Sequence, residues 1–283
     1  MTGWWEGRAG LTGKVAVITG GAGGLGEAVT RDLAANDVRV AVLDIDGDAV
    51  GRLGGALGPD AIAVHGDARD PGQLAALFAA VDERWGRLDI LVNVPGGTFR
   101  APFTETRPKG WDALIRTNLT HVLHACSLAV PRMQAGGRGG SIVNITTIEC
   151  HRAAPGFAVY SAAKAGVEQF ARSLAVELAP DNIRVNNVAP DYTPTPGMRA
   201  ISNGNGDAAG PGIGISIPMA RAGVVTDVSG CVVFLASGLS SYVTGQTLHP
   251  DGGTHASSGW LNWPEQGWSV NVPAEVRRLL PDK

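Results

Sequence analysis

The chain predicts an α/β fold: a doubly wound parallel sheet of seven strands with helices on both faces. Three observations carry that expectation. Short apolar, β-branched runs recur along the chain without polar alternation, as strands buried on both faces require. Segments of helical periodicity separate them, the mark of right-handed crossovers between parallel strands. No proline- or serine-rich linker cuts the series, so the 283 residues are expected to form one domain with its core at 10–253.

The elements follow in order. Lys14-Val-Ala-Val-Ile-Thr19 opens as a buried strand. Glycines come next, and Glu27–Ala35 then reads as a helix with one apolar stripe. Val38–Leu43 is the second strand. Beyond it the spacing predicts a strand at 61–65, a helix at 71–84, a strand at Asp89–Asn93, a helix at about 111–134 and a strand at Ser141–Ile145. A helix at about 157–178, a strand at Ile183–Val188, a helix at about 226–236 and a last strand near 245–249 complete the series. Residues 191–218 break the rhythm with glycines and prolines, the pattern of a substrate lid. A tail, 254–283, follows the last strand. Five of the seven tryptophans (Trp4, Trp5, Trp260, Trp263, Trp268) lie at the two ends. That much aromatic surface is expected to pack on the body or on another subunit.

Composition narrows the partners. Apolar residues make up 44% of the chain and charged residues 17%, enough to bury a core. Twenty-three basic against twenty-six acidic side chains leave a net charge of −3, which argues against nucleic acid. Cys126, Cys150 and Cys231 form neither a disulfide framework nor a metal knuckle and fit a reducing, cytoplasmic setting. The start reads as no signal peptide, and no run approaches the length of a membrane span. The forty glycines are about twice the usual share, and tight backbone approaches are the expected reason.

The clearest such approach is Thr19-Gly-Gly-Ala-Gly-Gly-Leu-Gly26, set between a buried strand and a helix. Gly20, Gly24 and Gly26 let the backbone come close to a pyrophosphate, which then meets the unpaired amides of the helix N-terminus. The second strand ends at Asp44. A carboxylate there accepts hydrogen bonds from ribose hydroxyls and repels a 2′-phosphate; Ile45 and Asp46 follow, with no arginine to hold that phosphate. NAD is therefore favoured over NADP, although an aspartate also commonly just ends a strand.

Tyr160-Ser-Ala-Ala-Lys164 opens an apolar-periodic helix and puts the two side chains on one face. A tyrosine of ordinary pKa, near 10, is a poor base at neutral pH. A neighbouring ammonium and the positive ring of oxidised NAD are expected to lower that value, so that the phenol can take a proton from an alcohol.

With these motifs in one chain, the sequence resembles the short-chain dehydrogenase/reductase family, in its compact single-domain, Rossmann-type branch, over about residues 10–253. The resemblance rests on Thr19, Gly20, Gly24 and Gly26, Asp67, Asn93 and Gly96, Asn118, Thr147, Tyr160 and Lys164, and the stretch Pro190 to Thr195. It implies roles for them. Tyr160 would be the acid/base, Thr147 would hold the substrate oxygen, and Lys164 would hold the nicotinamide ribose. Asn118 would keep a water that links Lys164 to solvent. Leu25 and Ile45 would flank the dinucleotide, Asp67 and Ala68 would meet adenine, and Asn93 and Gly96 would line the adenosine side. Pro190, Thr193 and Thr195 would fix the carboxamide end. The helices at about 111–134 and 157–178 form the dimer face in relatives, which implies a homotetramer or homodimer.

Three departures from the family pattern stand out. Thr147 replaces the usual serine; its methyl stiffens the rotamer and narrows the pocket. Asn93-Val94-Pro95-Gly96 loses one amide side chain and one backbone donor relative to Asn-Asn-Ala-Gly. Asp191 follows Pro190 where glycine is usual. Glu149, His151 and Asp191 are candidates for substrate contact, with a solvated loop histidine the plainer reading of His151. His121 and His124 have no third ligand at recognisable spacing, and His249 and His255 flank Asp251-Gly-Gly253, a simple turn, so no metal site is expected. The expected activity is NAD-dependent interconversion of a secondary alcohol and its ketone, with a small-molecule substrate that is hydrophobic or cyclic. The alternatives are a β-ketoacyl thioester reductase and a non-catalytic dinucleotide sensor.

Overall fold

A computed structural model describes residues 3–195 and 212–278. Most of the expected lid, 196–211, and the last residues of the tail, 279–283, lie outside the described residues.

Seven strands form one sheet: β1 (Val15–Thr19), β2 (Arg39–Asp44), β3 (Ile62–His65), β4 (Ile90–Asn93), β5 (Gly140–Ile145), β6 (Ile183–Val188) and β7 (Thr247–Leu248). Their order is β3-β2-β1-β4-β5-β6-β7, and every neighbouring pair is parallel. The chain winds outward from β1 to β3 and then crosses back to start the other half at β4. That reversal leaves a crevice at the carboxyl ends of β1 and β4, where sheets of this kind bind ligands.

Helices cover both faces, as right-handed crossovers dictate. The helix α1 (Trp4–Ala9) precedes the sheet; α2 (Gly24–Ala35), α3 (Gly47–Leu57), α4 (Pro71–Trp85), α5 (Pro108–Ile115), α6 (His121–Gly136), α7 (Ala158–Leu178) and α8 (Val225–Ala236) follow. Leu74, Phe78, Val122, Ala125, Val167 and Ala171 fill one core, from α4, α6 and α7. Val29, Leu33, Val50, Leu53, Val228 and Val232 fill the other, from α2, α3 and α8. The β-branched strand residues divide between the two, which is why those strands lack alternation.

Helix α3 was absent from the sequence expectation. Four of its eleven residues are glycine, and glycine is among the poorest helix formers. It forms because Ala49, Val50 and Leu53 are buried, and the Asp46 carboxylate accepts from the Ala49 amide at 3.0 Å as an N-cap. The single long helix expected at 111–134 is α5 and α6 joined by a π-helical turn at Arg116–Thr120.

The ends divide the expectation about tryptophan. Trp4 and Trp5 stand 66% and 69% exposed, so α1 does not pack them on the body. The tail forms an antiparallel hairpin, β8 (Leu261–Trp263) with β9 (Gly267–Ser269), which lies against the short helix Ile213–Ser216 and half-buries Trp263. No helix among the described residues is long and apolar enough to cross a membrane.

Candidate active site

The glycine loop is built as its spacing demands. Gly20 and Gly24 take φ of +65° and +52°, values that strain any residue with a Cβ. Gly26 closes the turn: a methyl there would lie 1.9 Å from the Gly20 carbonyl oxygen. The first turn of α2 thus sits directly on the loop, with its N-terminus open toward the crevice. Leu25 packs against the second core. Thr195 covers the loop, within 3.3 Å of where a side chain on Gly24 would be.

Asp44 ends β2 beside this loop. Its carboxylate accepts from the Ala22 amide at 2.9 Å and the Asp46 amide at 3.1 Å, which fixes its position while leaving each oxygen capacity for another donor. Ile45 is exposed just past it. On the next strand's loop, Ala68 is buried, and Asp67 is held by Arg69 at 2.8–3.0 Å. Hydrogen bonding from Arg69 outweighs partial burial and lowers the Asp67 pKa. Sequence reasoning missed that pairing.

Asn93, expected to line the adenosine side, ends β4. Its side chain is buried and belongs to a row of polar groups crossing the sheet. Thr19 donates to Asn93 at 3.3 Å, Asn93 donates to Asn144 at 2.9 Å, Asn144 to Asn187 at 3.1 Å and Asn187 to Thr247 at 3.3 Å. The register puts these five residues directly opposite one another on β1, β4, β5, β6 and β7. Each amide satisfies the next, which makes burial of the row tolerable. The available signal was that three strands carry asparagine at or near their ends.

Gly96 lies beside the catalytic candidates. A side chain there would meet Lys164 Nζ at 3.3 Å and Asn118 Oδ1 at 3.4 Å. Asn118 sits in the π-helical turn, a feature frequent at functional sites. Its amide donates to the carbonyls of Gly97 at 2.8 Å and Leu114 at 2.9 Å and accepts from the Gly97 amide at 3.2 Å, which clamps the loop after β4. The buried Lys164 amine donates to the carbonyl oxygens of Ile145 at 2.8 Å and Pro95 at 3.2 Å. Pro95, which has no N–H, still serves here through its carbonyl.

Tyr160 lies one helical turn before Lys164, beside Thr147. Burial pushes its phenol up to about 12, against a smaller downward pull from hydrogen bonding with Thr147. The expected lowering by Lys164 is therefore absent in the chain by itself. Lys164 spends its donors on carbonyls, and burial brings its own pKa down to about 8.

The rim holds the remaining candidates. The exposed Arg152, not singled out from sequence, bridges Glu149 at 2.8 Å and Asp191 at 3.0 Å. One cation thus meets two carboxylates, and the Arg152 pKa is raised, first by its hydrogen bond to Glu149. The buried Pro190 accepts from the Ile148 amide at 3.0 Å, and the buried Thr193 donates to the Asp191 carbonyl at 3.2 Å. His151 faces Glu168 at 3.1 Å, not solvent. An apolar crevice lined by Phe99, Phe103, Leu114, Phe157 and Val159 adjoins the start of α7. A larger cavity, lined by Lys14, Asp89, Arg138 and Arg184, lies at the amino ends of the strands, away from this chemistry.

These residues fit a nicotinamide dinucleotide: a glycine cradle that a Cβ would fill, an open helix N-terminus and a fixed carboxylate at the end of β2.

Comparison with known proteins agrees. A family model described as enoyl-(acyl carrier protein) reductase matches residues 20–255. The chain is 36% identical over 251 residues to a 3-oxoacyl-(acyl-carrier-protein) reductase of Thermotoga maritima, covering 86% of this chain and 98% of the relative. It is 36% identical over 247 residues to nodulation protein G of Azospirillum brasilense, with the same coverage of 86% and 98%. The solved 3-ketoacyl-(acyl-carrier-protein) reductase of Brucella melitensis complexed with NADH superposes with a TM-score of 0.79 at 30% identity, covering 87% of this chain and 99% of that one.

Proposed function

The chain belongs to the short-chain dehydrogenase/reductase family, and from that premise we propose that it is an NAD-dependent oxidoreductase interconverting a secondary alcohol and its ketone. The observation that carries this reading is the meeting of Tyr160, Thr147 and Lys164 at the carboxyl ends of the strands, beside the glycine loop. When bound, the nicotinamide ring supplies the hydride acceptor or donor. The Thr147 hydroxyl holds the substrate oxygen, and the Tyr160 phenol takes or returns its proton. Lys164 and Asn118 shape the floor through the loop after β4. Glycine cradle, Asp44 and Thr195 would hold the dinucleotide, with Asp67 and Ala68 toward adenine.

Asp44 supports NAD over NADP, since its fixed carboxylate opposes a 2′-phosphate. Exposed Phe99 and Phe103 near the start of α7 support a hydrophobic or cyclic substrate. A β-ketoacyl thioester reductase is the second reading, favoured by the names of the relatives. The rim speaks against an acidic carrier as partner, because Arg152 is already matched by Glu149 and Asp191. Exposed Ile115, Leu123 and Val176 on α5, α6 and α7 support a homodimer or homotetramer built on those helices. Three unpaired cysteines support a reducing, cytoplasmic setting.

Absorbance of reduced nicotinamide, followed across a panel of secondary alcohols with NAD and NADP in parallel, tests the proposal. Turnover with NAD and bulky apolar alcohols is expected. Tyr160→Phe is expected to lower kcat by roughly 10²-fold or more while dinucleotide binding persists. Equal turnover by both proteins would remove Tyr160 from the chemistry, and absence of turnover by the parent would leave only the sensor.

A further inference from the structure

Three of the six histidines, His151 and the much later His249 and His255, converge outside the hydride-transfer site. His151 ends the short helical turn after β5, His249 follows β7, and His255 lies on the short helix Thr254–Ser257. One ring nitrogen from each lies within 4.8 Å of the others. The His249 and His255 rings stack at 4.3 Å, and His151 meets them edge-on at 4.6 and 5.0 Å.

We propose that His151, His249 and His255 form a binding site for one divalent transition-metal ion of the zinc class, with a fourth position open to water or another ligand. Three imidazole ligands and an open place suit such a cation. Bound tetrahedrally, their nitrogens would stand about 3.4 Å apart, so modest side-chain rotation closes the set.

The surroundings are those of a built site. His151 Nε2 meets Glu168 Oε1 at 3.1 Å, which orients the ring and frees its other nitrogen. Glu168 is itself buried and accepts from the Thr146 hydroxyl at 2.9 Å. Asp251 holds the His255 helix by accepting from the amides of Gly253 at 2.8 Å and His255 at 2.7 Å. His249 Nε2 is shut off from solvent and has no hydrogen-bond partner among the described residues. A cation here ties the segment that begins at Thr147 to the end of β7.

The inference does not rest on hydride transfer, and its test reads metal alone. Zinc chloride is titrated by calorimetry into the full untagged chain after stripping with EDTA. One equivalent per chain is expected, with a Kd of about 1 μM or tighter, together with a rise in the thermal midpoint that EDTA reverses. His255→Ala, at an exposed position that spares folding, and His249→Ala are each expected to weaken uptake roughly a hundredfold. Glu168→Gln should weaken it by roughly 10–100-fold, and His124→Gln should leave it unchanged. Absence of stoichiometric uptake by the unaltered chain, or uptake by His255→Ala and His249→Ala equal to it, overturns the proposal.

Discussion

Alanine substitution at two glycines of the same loop separates backbone approach from mere loop composition. A methyl on Gly26 would lie 1.9 Å from the Gly20 oxygen, 2.8 Å from its carbonyl carbon and 2.9 Å from Gly21 Cα. Ordinary carbon–oxygen contact needs about 3.3 Å, so the loop and the first turn of α2 must part by more than an ångström. Backbone cannot rotate away as a side chain would, and the cost falls in the overpacking range of about 1–3 kcal/mol. Gly23 is the control. It has extended backbone at φ −132°, and a methyl there meets nothing within 4 Å. Gly23→Ala should therefore stay within about 0.5 kcal/mol of the parent. Urea unfolding gives the two stabilities, and quenching of tryptophan fluorescence by NADH gives the affinities. Gly26→Ala should lose stability and bind at least roughly tenfold more weakly, because the displaced segment is the cradle. Parental stability and affinity in Gly26→Ala would refute the assigned loop geometry.

Other expectations follow from single contacts. Asp44→Asn keeps an acceptor for the Ala22 amide but removes the charge; the ratio of kcat/KM for NAD over NADP should fall by roughly 10–100-fold, as about 1–3 kcal/mol of charge repulsion is lost. Asn144→Leu leaves the Asn93 amide and the Asn187 oxygen without their partners, and thermal or urea unfolding should show a loss of about 2–4 kcal/mol. Lys164 titrates at about 8 in the folded chain against the ordinary 10.5. Between those values the unfolded chain holds the extra proton, so stability rises with pH across about 8 to 10.5. Relative to Lys164→Met, the gain should reach about 3 kcal/mol, read from urea midpoints at stepped pH; a flat difference would show that the amine is not desolvated.

Much of this site was legible because its residues sit at fixed spacing on regular elements. Tyr160 and Lys164 are four apart on one helix, and the glycine loop occupies the turn between β1 and α2, so local geometry alone brings each pair together. What sequence hid depends on register and on tertiary partners. The row from Thr19 to Thr247 exists only once five strands align, although asparagines at strand ends mark it. His249 and His255 lie six apart, but no spacing links them to His151, far earlier in the chain. Helix α3 was masked by glycine, whose low propensity is offset by burial of Val50 and Leu53 and by the Asp46 cap.

The Tyr160–Lys164 pair shows where spacing stops being enough. Being four residues apart puts an ammonium near a phenol, but the pKa depends on what each group has already bonded. Lys164 donates to Ile145 and Pro95, and its burial favours the uncharged amine. Tyr160, partly buried with only Thr147 to favour its anion, holds its proton up to about 12. On the proposed function, positive charge brought in beside Tyr160 by a bound oxidised dinucleotide would supply that acidity. A Tyr160 phenolate absorbing in the ultraviolet should accordingly be formed at lower pH in the presence of NAD than in its absence, with Tyr160→Phe as the blank. Identical titration with and without NAD would return the burden to Lys164 and require its hydrogen bonds to rearrange.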